Sequence, residues 1–225
     1  MRPLRLTAIL LAGTVAAGAQ AGKDLPVGLM LNLDFEEAKE GLIPSKALYP
    51  LYVPQGDLGI EWFNNRNLLA FQQGQGLDIP HSSLLNPDGR EWIVTVRAFV
   101  LTDGLILSQG NDTHGYAIYL VDNTVRATLR SGNTALTLKE RKDRGISKYR
   151  KKWVSIELRI KQDKAYLSLN RKRIAVIPLD TPLQGENMHI RLGNHQTLPP
   201  VLAGKPGMEP TGFTGAISSL KIIRQ

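Results

Sequence analysis

The chain contains no cysteine. No disulfide can staple it, no thiol can serve as nucleophile or zinc ligand, and its stability must come from core packing. A lipid anchor at an N-terminal cysteine is excluded by the same absence. Histidine is sparse, and His81, His114, His189 and His195 nowhere show the i, i+4 spacing of a helical zinc pair. There is no Gly-x-Ser-x-Gly elbow and no phosphate-cradling loop. Long apolar runs are missing too, apart from Leu6 to Ala19, about 14 residues where a membrane-spanning helix needs ~20.

That one apolar run has a different reading. Arg2 and Arg5 precede it, and Ala19-Gln20-Ala21 follows with the small-x-small pattern of a leader cleavage site. Residues 1–21 are therefore expected to be a signal peptide, leaving 22–225 as one exported domain without a transmembrane segment, destined for periplasm, cell surface or medium. A cysteine-free exported chain fits a bacterial source. The formal charge is +8, and subtracting Arg2 and Arg5 leaves +6. Such a balance favours anionic partners. Nucleic acid is not expected among them, because no stacking platform is evident and the chain is exported.

The remainder reads as strand after strand. Leu29 to Glu36 alternates, with Leu29, Leu31, Leu33 and Phe35 on one face. Glu37 to Gly59 is broken by Gly41, Pro44, Pro50, Pro54 and Gly56 and reads as loop. Short strands are predicted at Glu61–Phe63, Asn67–Phe71 and Gly76–Pro80. Glu91 to Leu101 is long and turns Trp92, Val94, Val96, Ala98 and Val100 to one side. Gly115 to Val121 is apolar on both faces, as a strand covered on both sides should be. Thr124 to Ser131 points Val125, Ala127 and Leu129 inward and Arg126, Thr128 and Arg130 outward. Leu105–Ser108, Trp153–Lys161, Ala165–Leu169, Ile174–Leu179, Met188–Leu192 and Phe213–Ile223 complete the set, with no helix and no repeat. Turn signals every 8–12 residues predict an all-β, two-sheet antiparallel jelly-roll sandwich.

Four segments resemble the laminin G-like branch of the concanavalin A-like jelly rolls. They are Asn67–Pro80 (NLLAFQQGQGLDIP), Gly104–Ser131, the Trp-led hairpin Trp153–Val176, and the closing Phe213–Ile222 (FTGAISSLKI). The hairpin departs from the family at its turn, with Asn170-Arg171 where Asp-Gly is usual. The resemblance implies a secreted module that engages a glycan or an extracellular protein through rim loops, often beside calcium. In the family an aspartate precedes the central Tyr strand; here Asp112-Thr113-His114 stands before Tyr116, with His114 closest to that aspartate. The resemblance therefore implies a possible calcium set of Asp112, with Asn111, carbonyl oxygens and Asn194. A lone carboxylate supplies little charge for such an ion, and Asn111 to His114 reads equally as an ordinary polar turn.

Read from the residues themselves, the ligand-binding candidates form two groups. One is a pair of rim loops, Asn111–His114 and Asn194–Thr197, on which His114 and His195 are expected to share a rim. The other is basic. Lys139 to Lys152 holds eight Lys or Arg residues, among them Arg141, Lys142, Arg144, Lys151 and Lys152, and Arg171-Lys172-Arg173 forms a second cluster at a hairpin tip. If the two clusters adjoin, they make one cationic rim for an acidic polysaccharide or anionic headgroups. Solvated basic loops that guard sheet edges are the competing reading. Trp92 and Trp153 are expected in the core.

Catalysis on a jelly roll needs its own signature. The glucanase array Glu-x-Asp-x-x-Glu is absent, and the carboxylates of Asp34-Phe35-Glu36 do not assemble it. Glu157-Leu158-Arg159 is only a fragment of the lyase pattern Arg-x-Glu-x-Arg. No catalytic residue is assigned. A non-catalytic binding module is the leading expectation, with a divergent carbohydrate-active enzyme and a structural envelope or matrix protein as alternatives.

Overall fold

The computed structural model describes residues 4–5, 28–38, 53–55, 58–63, 65–72, 75–88, 90–139, 150–184, 189–193, 200–203 and 213–225. Alternation along β7 (Trp92–Val100) decides how its central strand faces. Trp92, Val94, Val96, Ala98 and Val100 are fully buried between two sheets, while Thr95 and Arg97 take the outer face. Each of the three valines taken out of water contributes roughly 1.5–3 kcal/mol.

Strand β7 lies within a nine-stranded antiparallel sheet. Its path runs β1 (Leu4–Arg5), β4 (Gly59–Phe63), β5 (Arg66–Phe71), β16 (Gly215–Arg224), β7, β12 (Trp153–Ile160), β13 (Lys164–Leu169) and β14 (Lys172–Pro178), and β2 (Gly28–Asp34) also pairs with β16. The facing sheet has seven strands in the order β11 (Thr134–Lys139), β10 (Thr124–Ser131), β9 (His114–Val121), β8 (Gly104–Gly110), β15 (Ile190–Gly193), β6 (Gly76–Ile79) and β3 (Val53–Gln55). The all-β two-sheet sandwich expected from the sequence is the fold observed.

Strand β9 is buried on both faces, as its composition predicts. Tyr116, Ile118 and Leu120 enter the main core, whereas Ala117 and Tyr119 pack with Leu105, Val201 and Leu202 on the other side of the sheet. The cover is a short 3-10 turn, Pro200–Leu202. Arg130 pins it, donating from Nε to the Val201 carbonyl at 3.1 Å and from Nη2 to the Ala203 carbonyl at 2.6 Å. Thr128 does point to this outer face, yet it is buried, because its hydroxyl links Tyr119 and Thr137 at 2.9 and 3.0 Å.

Three expectations need correction. The segment read as a loop before Gly59 contains β3, which pairs with β6. The short strand β11, which begins before the basic run, extends the smaller sheet to its edge. Trp153 is not a core residue. Its register partner is Phe99, on the face opposite Ala98, and its half-buried ring stands 5.6 Å from the Phe99 ring on the outer surface.

Candidate functional site

The β12–β13–β14 hairpins place the two basic clusters. Backbone pairing opposes Ile156 to Leu169. Asn170 then donates its backbone N–H to the Ser155 carbonyl at 2.8 Å, and the Asn170 side chain accepts from the Ser155 N–H at 2.9 Å. The turn carrying Arg171 is thereby tied to the start of β12, directly after Lys151 and Lys152. Lys151 is held in turn by its N–H on the Val100 carbonyl at 3.1 Å, and Arg150 pairs with Asp103 at 3.5 Å. So Lys151, Lys152, Arg171, Lys172 and Arg173 gather at one end of the larger sheet, all exposed. Arg141, Lys142 and Arg144 lie outside the described residues.

The backbone at this rim is unusual. Asn170 and Arg171 have φ of 48° and 68°, and Lys151 has φ of 59°. A two-residue hairpin turn of this kind wants positive φ at both positions, which Asn and Gly supply readily. For Arg or Lys the same conformation costs roughly 1–2 kcal/mol. Two cations are thus carried where glycine would sit at lower cost.

Beside Lys151 the outer face of the sheet is apolar. A cleft of about 430 Å³ is lined by Leu68, Ala70, Phe99, Leu101 and Ala216, together with Lys151 and Glu61. Leu101 is 40% exposed. The Arg97 guanidinium stands 5.6 Å from the neighbouring Trp153 ring, and Arg173 lies 5.7 Å from Tyr166. The apolar floor of the cleft suits a ligand with a flat carbon face, and its lining carries one cation, Lys151, and one carboxylate, Glu61.

The Asn111–His114 turn is built differently. Gly110 and Gly115 face each other so closely that a Cβ on Gly110 would collide with the His114 carbonyl and one on Gly115 with the Gln109 carbonyl. The Asn111 Oδ1 accepts from the Thr113 N–H, the Thr113 hydroxyl and the His114 N–H, each at 2.8 Å. The Asp112 carbonyl accepts from Arg130 Nη1 at 2.8 Å. His114 borders a polar hollow of about 700 Å³ with Asp88, Ser131, Thr181 and Gln184.

Strand direction separates this turn from its expected companions. Trp92 Nε1 donates to the Tyr116 hydroxyl at 3.4 Å, so the turn lies at the Trp92 end of β7, opposite the basic rim at the Val100 end. Strand β15 runs against β8, pairing Ile190 with Gln109 and Leu192 with Leu107. Gly193 is therefore level with Ile106, roughly 17 Å short of Asn111 at 3.4 Å per residue. The chain leaves β15 toward the basic end, against Phe71. Asn194 and His195 lie outside the described residues, and the register does not bring their strand end to Asp112 or His114.

These residues fit a calcium ion poorly. Asn111 has spent its side-chain oxygen and a guanidinium occupies the Asp112 carbonyl, so among the described residues of the expected set the Asp112 carboxylate alone is left. Among the described residues no three His, Asp or Glu side chains form a metal-holding group. Also among the described residues, no helix is long and apolar enough to cross a membrane.

No family model matches the chain, and no curated protein matches it at a significant level. Solved structures do. The binding domain of Paraclostridial Mosquitocidal Protein 1 superposes with TM-score 0.68 at 11% identity, over 88% of this chain and 49% of that one. The binding domain of botulinum neurotoxin DC in complex with SialylT gives 0.63 at 15%, over 87% and 47%. Domain 4 of a GH43 extracellular arabinanase from Geobacillus stearothermophilus, in complex with arabinotriose, gives 0.63 at 13%, over 88% and 94%. The chain spans about half the length of the toxin binding domains and nearly all of the arabinanase domain. At these identities the likeness establishes the jelly-roll-like β-sandwich fold.

Proposed function

We propose that this chain is an exported, non-catalytic binding module of laminin G-like type that takes an acidic polysaccharide on its basic rim. The observation that carries the reading is the gathering of Lys151, Lys152, Arg171, Lys172 and Arg173 at one sheet end, with Lys151 and Arg171 in left-handed backbone. Strained positions cluster where a ligand is clamped. The adjoining Phe99–Leu101 floor offers a sugar ring an apolar face, and the carbohydrate complex of the arabinanase domain supports a glycan on this fold. Export rests on cleavage after Ala21. Strand β1, which pairs only through Leu4 and Arg5, is then lost with the leader.

The test is binding of residues 22–225 to an acidic polysaccharide and to a neutral arabinan. Affinity for the acidic chain is expected to drop at least about tenfold between ~50 and ~500 mM salt, as screening demands. A Lys151→Glu, Lys152→Glu pair should abolish it, while a chelator should leave it unchanged because the Asp112 turn lies at the far end. Salt-independent binding, or binding that survives the double reversal, overturns the reading.

A further inference from the structure

Strand register lays out the cleft on the outer face of the larger sheet. One row of paired residues crosses β4, β5, β16, β7 and β12 as Gly59, Ala70, Ala216, Phe99 and Trp153. The small side chains of Ala70 and Ala216 make the low centre of the cleft, and Phe99 walls it on the β7 side. The next row to one side holds Glu61, paired with Leu68. The next row to the other side holds Leu101 and Lys151, whose N–H is fixed on the Val100 carbonyl. Glu61 and Lys151 therefore stand at diagonally opposite corners of one cleft.

The two charges do not neutralise each other. Their strands are four spacings apart, roughly 19 Å at ~4.8 Å each, which is too far for an ion pair. Among the described residues no cation pairs with Glu61, whereas Glu36 is held by both Arg66 and Arg97. The Lys151 side of the cleft is rigid. Leu101 and Thr102 both donate their N–H to the Thr214 carbonyl, at 3.1 and 3.2 Å, and the Thr214 N–H donates to the Thr102 hydroxyl at 2.8 Å. A Cβ on Gly215 would collide with the Phe99 carbonyl, so the strands close up under the floor. A wall set before the ligand arrives costs little ordering on binding.

A chain of sugars that crosses this cleft from Lys151 meets a carboxylate at the far corner. A polymer of uniform negative charge brings a second carboxylate toward Glu61 and is repelled there, which is selection by an unfavourable contact. A sugar bearing a free amine is attracted at the same corner, while its carbon face lies over Ala70 and Ala216. Given the acidic-polysaccharide reading of the rim, on which this rests, we propose that Glu61 selects a polysaccharide in which uronate alternates with an amino sugar of unacylated nitrogen. The carboxylate sits on Lys151 and the ammonium on Glu61.

Two probes test the assignment at pH ~6, where an amine is protonated. One is a polyuronate, and the other is a uronate–glucosamine polymer stripped of its N-acetyl groups, each titrated into residues 22–225. Glu61→Gln keeps the shape of the side chain and removes its charge. It should tighten the polyuronate and weaken the amine-bearing polymer, each by about two- to fivefold, the size of one solvent-exposed ion pair. A general change in protein charge does not give opposite signs on the two polymers. Glu157→Gln, on the outer face of β12 and away from the cleft, should give no inversion. Shifts of one sign on both polymers, no shift, or the same inversion with Glu157→Gln overturns the role of Glu61 and leaves the rim reading standing. Failure of the parent to bind either polymer overturns both.

Discussion

The Arg224 guanidinium stands 5.3 Å from the centre of the Trp92 ring, and both side chains are wholly buried. Arg224 Nη2 donates to the Ser83 and Asn86 carbonyls, while Nε and Nη1 find no partner among the described residues. Burial lowers its pKa, with the charge of Asp88 opposing. The penultimate residue of the chain thus fastens the last strand to the loop before β7.

Removing that fastening should be costly in a graded way. Arg224→Ala opens a cavity and orphans two carbonyls, for an expected loss of about 3–5 kcal/mol in urea unfolding. Arg224→Met keeps the volume over Trp92 and should lose about half as much. A methionine variant more stable than the parent would show that the carbonyl bonds contribute nothing net.

Alkaline pH should unfold the protein through two phenols. Burial raises the pKa of Tyr116 and of Tyr119 above the ordinary value, against smaller lowering effects from their hydrogen bonds. Below pH ~10 both folded and unfolded chains keep these protons, and stability is unaffected. Above it only the unfolded chain ionises, so stability falls by up to ~1.4 kcal/mol per pH unit for each phenol. Urea melts at rising pH should show this, and Tyr116→Phe should reduce the slope. Phenolate absorbance from all six tyrosines in the still-folded protein would contradict it.

Arg171→Gly separates stability from binding. Glycine adopts the φ of 68° without strain, so the hairpin should gain about 1 kcal/mol. One rim cation is lost at the same time, and affinity for acidic polysaccharide should fall. Loss of stability together with affinity would mean that the arginine is held there for packing.

Arg130→Lys should loosen the cover on the smaller sheet. A lysine ammonium cannot span the Asp112, Val201 and Ala203 carbonyls as the guanidinium does. Amide exchange is expected to rise selectively at residues 200–203 and 112–114, with β7 still protected.

Much of the architecture is local and was legible. Alternation in β7 and apolarity on both faces of β9 each state their surroundings directly. The short edge strands β3 and β11 were not, because edge strands bury little and their composition resembles loop. Trp153 misleads for a related reason. A large aromatic at the head of an apolar strand is usually core, but here pairing with Phe99 turns it outward.

Side-chain pattern along the chain, a property of neighbours two residues apart, determined that this protein is a β-sandwich with a basic surplus. Which turns share an end was decided only in the tertiary structure. Lys151 meets Arg171 because β12 and β13 pair in one register, and Asp112 is kept from the exit of β15 because that strand runs against β8. The direction and offset of a strand pair are settled by contacts between segments far apart in sequence, and no local pattern encodes them.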